Sequence, residues 1–228
     1  SMHREPISIG FVGNIVDLWE RCVERNVVPH LGSDQTSLHN PYQGGYFPVG
    51  YSYEEAAQMM SQHPEKFKKE VESTLRRHVN AINTLSNEGM YFWDYGNAFL
   101  LEASRVGADV MTESGEFRYP SYVEDIMGPM CFDYGFGPFR WVCTSADPKD
   151  LKITDEIACQ VLEEIMNESP KEIKQQMADN IQWIKGAQKN KLVVGSQARI
   201  LYADAEGRMK IASAFNKAIA MGTISCPI

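Results

Sequence analysis

Three short stretches of this 228-residue chain carry side chains able to hold a ligand. They are Asn14 behind an apolar run, the sextet Asp34-Gln35-Thr36-Ser37-Leu38-His39, and Tyr95-Gly96-Asn97. Thr and Ser hydroxyls beside backbone N–H groups can cradle a phosphate, and Asn or Gln amides can hold a carboxamide or a ribose. Turn closure accounts for the same residue types, because Asp34, Ser37 and Asn40 are the kind that cap turns. Neither GxGxxG nor GxxxxGK followed by Ser or Thr occurs. A fourth stretch, Gly135-Phe136-Gly137-Pro138-Phe139-Arg140-Trp141, sets one arginine among aromatic rings. A guanidinium there suits bidentate carboxylate binding with the rings excluding water, and an arginine ion-paired within a structural turn reads equally well.

Nucleophilic and metal chemistry find less to work with. Five cysteines (Cys22, Cys131, Cys143, Cys159, Cys226) are scattered, odd in number and without CxxC spacing. That fits reduced thiols in a cytoplasmic protein, not a disulfide scaffold or a zinc ribbon. Cys131 and Cys143 sit in apolar surroundings and are expected as small buried hydrophobes. Among the histidines, His39 in the polar loop is the one expected to meet a ligand. His30 and His78 fall inside element patterns and are expected in the core or on the surface.

The elements that must position these residues follow from periodicity. Residues 7–12 form a nearly continuous apolar run ending at Gly13-Asn14, which predicts a parallel strand buried on both faces. Helical spacing follows to about Asn26, then a second strand around 27–31, giving a strand–helix–strand unit whose ligands would gather at the strand ends. Ser52 with Glu55 predicts a capping box for a helix ending near Gln62. Pro64 opens a long helix that Gly89 stops, followed by a strand over 90–93 and a helix over 98–106. Beyond Tyr119 the chain turns Gly/Pro- and aromatic-rich, a plausible junction. Helices are expected over 154–167 and 170–185, the second started by Ser169/Pro170/Glu172. A strand over 199–202, a turn at Ala205-Glu206-Gly207 and a helix over 210–220 complete the reading.

Composition bounds the partners. A formal net charge of −8 disfavours nucleic acid and anionic membranes. No apolar run approaches the about 20 residues of a membrane span. The balance of 43% hydrophobic and 23% charged residues is that of a folded globular chain.

With these residues in view, a resemblance can be given. Asp34-Gln35-Thr36-Ser37-Leu38-His39-Asn40-Pro41 followed by Gly45-Tyr46 resembles a motif of the urocanase family. Asp94-Tyr95-Gly96-Asn97, Gly137-Pro138-Phe139-Arg140-Trp141 and Ala198-Arg199-Ile200 match further family segments in the same order. The wording is closer to the longer eukaryote-like branch. The resemblance implies an α/β fold: a partial Rossmann-like parallel sheet with helices, then a mostly helical α/β core segment. Residues 7–120 would be the later part of the NAD-binding domain and 121–228 part of the C-terminal core. It also implies a cytoplasmic homodimer acting in histidine degradation, adding water to urocanate to give imidazolonepropionate with NAD+ as an electrophile. Asn14, Ile15, Gln35, Thr36, Ser37, Leu38, His39, Tyr46, Phe47 and Tyr95 would contact NAD+, and Arg140 would hold the carboxylate of urocanate.

Two departures from the family pattern shape these expectations. Bacterial members carry a cysteine directly after Ala-Arg-Ile, where this chain has Leu201, so no catalytic cysteine is named. A Gly-rich phosphate segment and a Gly-Arg-Asp-His segment are expected before Ser1 and after Ile228, so residues 1–228 alone are expected to be inactive. The alternatives are a piece of a conventional NAD-dependent dehydrogenase and a non-enzymatic module that self-associates through an open sheet edge.

Overall fold

The structure, a computed structural model, describes residues 7–36, 38–96, 98–192 and 197–228. It divides into two compact units, Ser1–Ile126 and Met127–Ile228.

The first unit is built on one long helix. Its elements are α1 (Ile15–Glu24), β1 (Leu31–Asp34), α2 (Tyr53–Gln62), α3 (Pro64–Asn87), β2 (Tyr91–Asp94) and α4 (Phe99–Arg105). Pro64 lies in the first turn of α3, where its missing N–H costs nothing, and Gly89 follows the helix at φ +113, a conformation glycine adopts without strain. Phe67, Val71, Leu75, His78, Ile82 and Leu85 recur on one face of α3 and are fully buried. The Ser52 cap forms as predicted: Glu55 N–H donates to Ser52 Oγ and Ser52 N–H donates to Glu55 Oε2. α1 is tied to α3 by the Arg77 guanidinium, which donates two hydrogen bonds to Glu20 at 2.8 and 2.7 Å.

β1 and β2 pair in parallel with Leu31 opposite Tyr91 and Asp34 opposite Asp94. Parallel neighbours need a crossover, and α2 with α3 supplies it. Gly32 lets the pair pack closely on Met90, since a Cβ there would lie 2.8 Å from the Met90 sulfur.

Residues 7–12 correct the expectation of a buried strand. They form no strand, and Ile7, Ile9 and Val12 are 80%, 83% and 101% exposed. An all-apolar strand is stabilised only when neighbouring strands and helices cover both faces, and the described sheet offers this segment no such place. The strand–helix–strand unit expected over 7–31 is therefore replaced by β1–α2–α3–β2.

In the second unit a short turn α5 (Gly128–Met130) precedes β3 (Gly137–Val142), α6 (Pro148–Glu168), α7 (Lys171–Lys189), β4 (Ala198–Ala203) and α8 (Ala205–Ala220). β3 and β4 are antiparallel, Arg140 opposite Ile200 and Trp141 opposite Arg199. One face of this pair is buried on the helices: Trp141 packs edge-on to Phe215 and donates its indole N–H to Thr154 Oγ1 at 3.0 Å. An Arg199–Asp155 ion pair, with side chains 4% and 1% exposed, joins β4 to α6. Asp150 fastens the C-terminal segment. It accepts from Ser225 N–H, Ser225 Oγ–H and Ser145 Oγ–H, while the Pro227 carbonyl accepts from Thr144. Those serine hydrogen bonds hold the Asp150 carboxyl down to about 2.

Two helices here start earlier than the sequence reading because an aspartate caps each of them. α6 begins at Pro148, not at Thr154, because Asp147 accepts Lys149 N–H. α8 begins at Ala205 because Asp204 accepts Gly207 N–H at 2.7 Å, so the expected turn is the first turn of the helix. Ser169 does not start α7; its hydroxyl donates back to the Ile165 carbonyl and finishes α6. All five cysteines are free thiols, with Cys131 and Cys143 buried as expected.

Candidate functional site

Asp34 and Asp94 end adjacent parallel strands, facing each other in register, and both are buried. Each caps the turn that follows it. Asp34 accepts Thr36 N–H at 2.9 Å and Thr36 Oγ1–H at 3.1 Å. Asp94 accepts the N–H groups of Gly96 and Tyr95. The turn-closing reading of Asp34 is thus realised, and it shapes the very loop that carries the candidate ligand residues.

Behind Asp34 lies a buried network. His78 on α3 has Nε2 3.6 Å from Asp34 Oδ2, and its Nδ1 shares a 3.0 Å hydrogen bond with the Tyr46 hydroxyl. The Phe99 ring covers the imidazole at 4.7 Å between centroids. Burial pushes the Asp34 carboxyl up to about 6, against the opposing Thr36 hydrogen bonds and with Asp94 adding repulsion. Burial pushes His78 down to about 3. Asp94 is raised as well, again chiefly by burial.

The two large shifts have opposite signs for stability. Asp34, raised, contributes stability that is present below its unfolded value near 4 and lost as pH rises through about 6. His78, lowered, contributes stability present above its unfolded value near 6.5 and lost as pH falls through about 3. Between about pH 4 and 6 the two slopes cancel, since folding moves a proton from histidine to carboxylate without net exchange. Asp34→Asn is therefore expected to uncover the histidine slope, stability rising by up to about 1.4 kcal/mol per pH unit over that window. His78→Gln is expected to show the reverse slope. Urea unfolding from pH 4 to 7 checks both, and parallel curves for wild type and variants would contradict the assignment.

The predicted ligand residues are partly gathered. Asn14 caps α1 through Oδ1 and donates its amide to the Phe47 carbonyl at 2.9 Å, which ties the start of α1 to the 46–47 loop. Ile15 packs against the core, and Leu38 and Tyr46 are buried, so these three act from beneath the loops. Phe47 packs at a tilt on Tyr53 and edge-on to Phe67. Gln35 and His39 are exposed on the loop, and Thr36 spends its hydroxyl on Asp34. Tyr95 is 37% exposed and stacks flat on Tyr122 with ring centroids 5.2 Å apart. Ser37 lies outside the described residues, as does Asn97.

Arg140 belongs to the second unit. It is exposed on the open face of β3 and makes no hydrogen bond or ion pair among the described residues, unlike Arg199 on the covered face. Leu201, at the position of the bacterial cysteine, is buried on the covered face opposite Phe139. No group of three metal-ligating side chains occurs among the described residues, and no helix there is long and apolar enough to cross a membrane. His78 is the residue that sequence reasoning undervalued; nothing local marks a helix histidine whose partners lie 32 and 44 positions away.

Comparison with known proteins follows the same division. The urocanase Rossmann-like domain matches residues 1–126 and the urocanase C-terminal domain matches residues 129–228. The chain is 57% identical to a probable urocanate hydratase of Dictyostelium discoideum, covering 100% of this chain and 35% of that protein. It is 56% identical to a urocanate hydratase of Mus musculus and 54% identical to one of Homo sapiens, in each case over 99% of this chain and 34% of the relative. The chain thus spans about a third of the length of the curated relatives it matches.

Proposed function

The chain belongs to the urocanase family, and from that premise we propose that it is part of a urocanate hydratase. The whole protein adds water to urocanate to give imidazolonepropionate, a step of histidine degradation, as a cytoplasmic homodimer using NAD+. The observation that carries the reading is the grouping of the motif loops at the ends of β1 and β2, in a domain matched as Rossmann-like.

The donor set suits the neutral parts of a dinucleotide. Gln35, His39 and the backbone of the capped turns can hydrogen-bond, while the strands beneath them end in two buried carboxylates, Asp34 and Asp94, that would repel a phosphate. Nicotinamide and ribose are therefore the portions these loops would hold, with Tyr95 beside them and Asn14, Ile15, Leu38, Tyr46 and Phe47 shaping the floor. Bound there, NAD+ supplies an electron-poor ring that makes a conjugated substrate susceptible to water. The residues of this chain bind and orient.

Arg140, with no acidic partner among the described residues, is assigned to the urocanate carboxylate. Arg140→Gln in the full-length protein is expected to raise the KM for urocanate about a hundredfold with a smaller change in kcat. An unchanged KM would remove Arg140 from the substrate site.

The function itself is tested by supplying the full-length protein with urocanate and following both urocanate and NADH. Urocanate is expected to disappear without net NADH. Steady accumulation of NADH would establish a dehydrogenase instead. Residues 1–228 alone are expected to turn over no urocanate.

A further inference from the structure

Two loops meet at one buried imidazole, and a third turn lies beside one of them. Asp34 holds the loop that runs to His39, Tyr46 belongs to the 46–47 loop, and Asp94 caps the turn at Tyr95. His78 stands between the first two, fully buried, with Nδ1 bonded to Tyr46 and Nε2 without a hydrogen-bond partner among the described residues. An orphaned ring nitrogen in a dry interior is costly, and Asp34 Oδ2 is the polar atom it faces, at 3.6 Å and so outside hydrogen-bond range until the side chains close by a few tenths of an ångström. The Tyr46 ring is itself 3% exposed, so its hydroxyl serves this network and not a ligand.

The network admits two arrangements. A neutral imidazole carries one hydrogen, and the nitrogen that carries it decides which neighbour donates. We propose that Asp34 and His78 are positioning residues that latch the 46–47 loop to the Asp34 loop through the tautomer of His78. With Asp34 ionised, the ring hydrogen sits on Nε2 toward the carboxylate and Tyr46 donates to Nδ1. With Asp34 protonated, the carboxyl donates to Nε2, the ring hydrogen sits on Nδ1, and Tyr46 becomes the acceptor. One proton is taken up from solvent in passing from the first arrangement to the second. The ring stays neutral in both, and the Tyr46 hydrogen loses its buried acceptor in the second. The latch is then weaker. Every titratable group facing Asp34 takes part: Asp94 from β2, His78 from α3 and Tyr46 from its loop, with Phe99 from α4 closing the site. The upward push on Asp34 places the change in the mildly acidic range.

This inference deepens the cofactor reading and rests on it for its consequence, though not for its geometry. The test uses full-length protein labelled with 15N-histidine, His78 being identified by the signals lost in His78→Gln. At about pH 8 the wild type is expected to show a protonated Nε2 and a bare Nδ1, and at about pH 5 the reverse, with no imidazolium at either. Asp34→Asn presents a permanent amide donor to Nε2 and is expected to hold the second pattern at every pH. NAD+ affinity, titrated on the same samples, is expected to fall about tenfold from the higher pH to the lower in the wild type and to be pH-independent in Asp34→Asn. One unvarying tautomer in the wild type, or a charged ring, overturns the proposal whatever NAD+ does. Tautomer exchange without any NAD+ binding overturns the cofactor reading and leaves the latch standing. Should Asp34→Asn not fold, the wild-type pH series decides alone.

Discussion

Arg199→Ala is expected to cost the second unit about 3–5 kcal/mol of stability, enough to unfold a domain of ordinary stability. Arg199 reaches Asp155 through two parallel hydrogen bonds of 2.9 and 2.7 Å, and its remaining nitrogen donates to the Leu192 carbonyl just beyond α7. Three elements are thus joined at one guanidinium. Its removal strands a carboxylate that is 1% exposed, and water cannot replace the lost partner. The two tryptophans of the second unit, Trp141 and Trp183, report its unfolding separately from Trp19 and Trp93 of the first. Urea unfolding followed on the second-unit pair should show the midpoint falling at constant slope. Coupling Arg199→Met with Asp155→Leu should recover most of the loss, because an apolar pair of similar volume carries no desolvation penalty. A loss below about 1 kcal/mol in the single variant would mean that the pair is solvated after all.

Phe67→Ala is expected to be comparably severe in the first unit, about 3–5 kcal/mol. Phe67 is 0% exposed on α3 and meets Phe47 edge-on, centroids 6.3 Å apart. Its removal leaves a cavity under the 46–47 loop, bounded by a long helix that cannot move inward to fill it. The consequence is local as well as global: the Phe47 carbonyl is the acceptor for Asn14, so a loosened Phe47 also frees the start of α1. Limited proteolysis across residues 40–51 should accelerate in proportion to the loss of stability. Phe67→Leu should retain more than half of the stability. If Phe67→Ala left both the unfolding midpoint and cleavage unchanged, the packing described for Phe67 would be wrong.

What was legible in the sequence was what local chemistry determines. Ser52 with Glu55, and Pro64 with Gly89, bracket α2 and α3 through contacts within a few residues of each other. Polar residues mark the ends of β1 and β2, whereas Asn14 follows no strand and caps α1 instead. Residues 7–12 misled because their composition answers to a burial that only neighbouring strands provide. The caps Asp147 and Asp204 are harder to read, because the proline after one and the glycine after the other suit a turn as well as a first helical turn. The motif residues of the candidate site stood out individually, yet their roles did not. Leu38 and Tyr46 prove to be anchors and Gln35 and His39 surface groups, a distinction set by which side of each loop faces α3. His78 was visible only as one apolar-spaced position among many.

The clasp at Asp150 has a practical corollary. Ser225 and Pro227 are bound to residues 144–150 at both ends of a short span, through a carboxylate whose charge persists to about pH 2. Residues 225–227 are consequently held fast to the second unit. A spin label attached at Ile228 is therefore expected to show the restricted motion of an anchored site. Asp150→Asn, by loosening the clasp, would turn the same label into a freely spinning one.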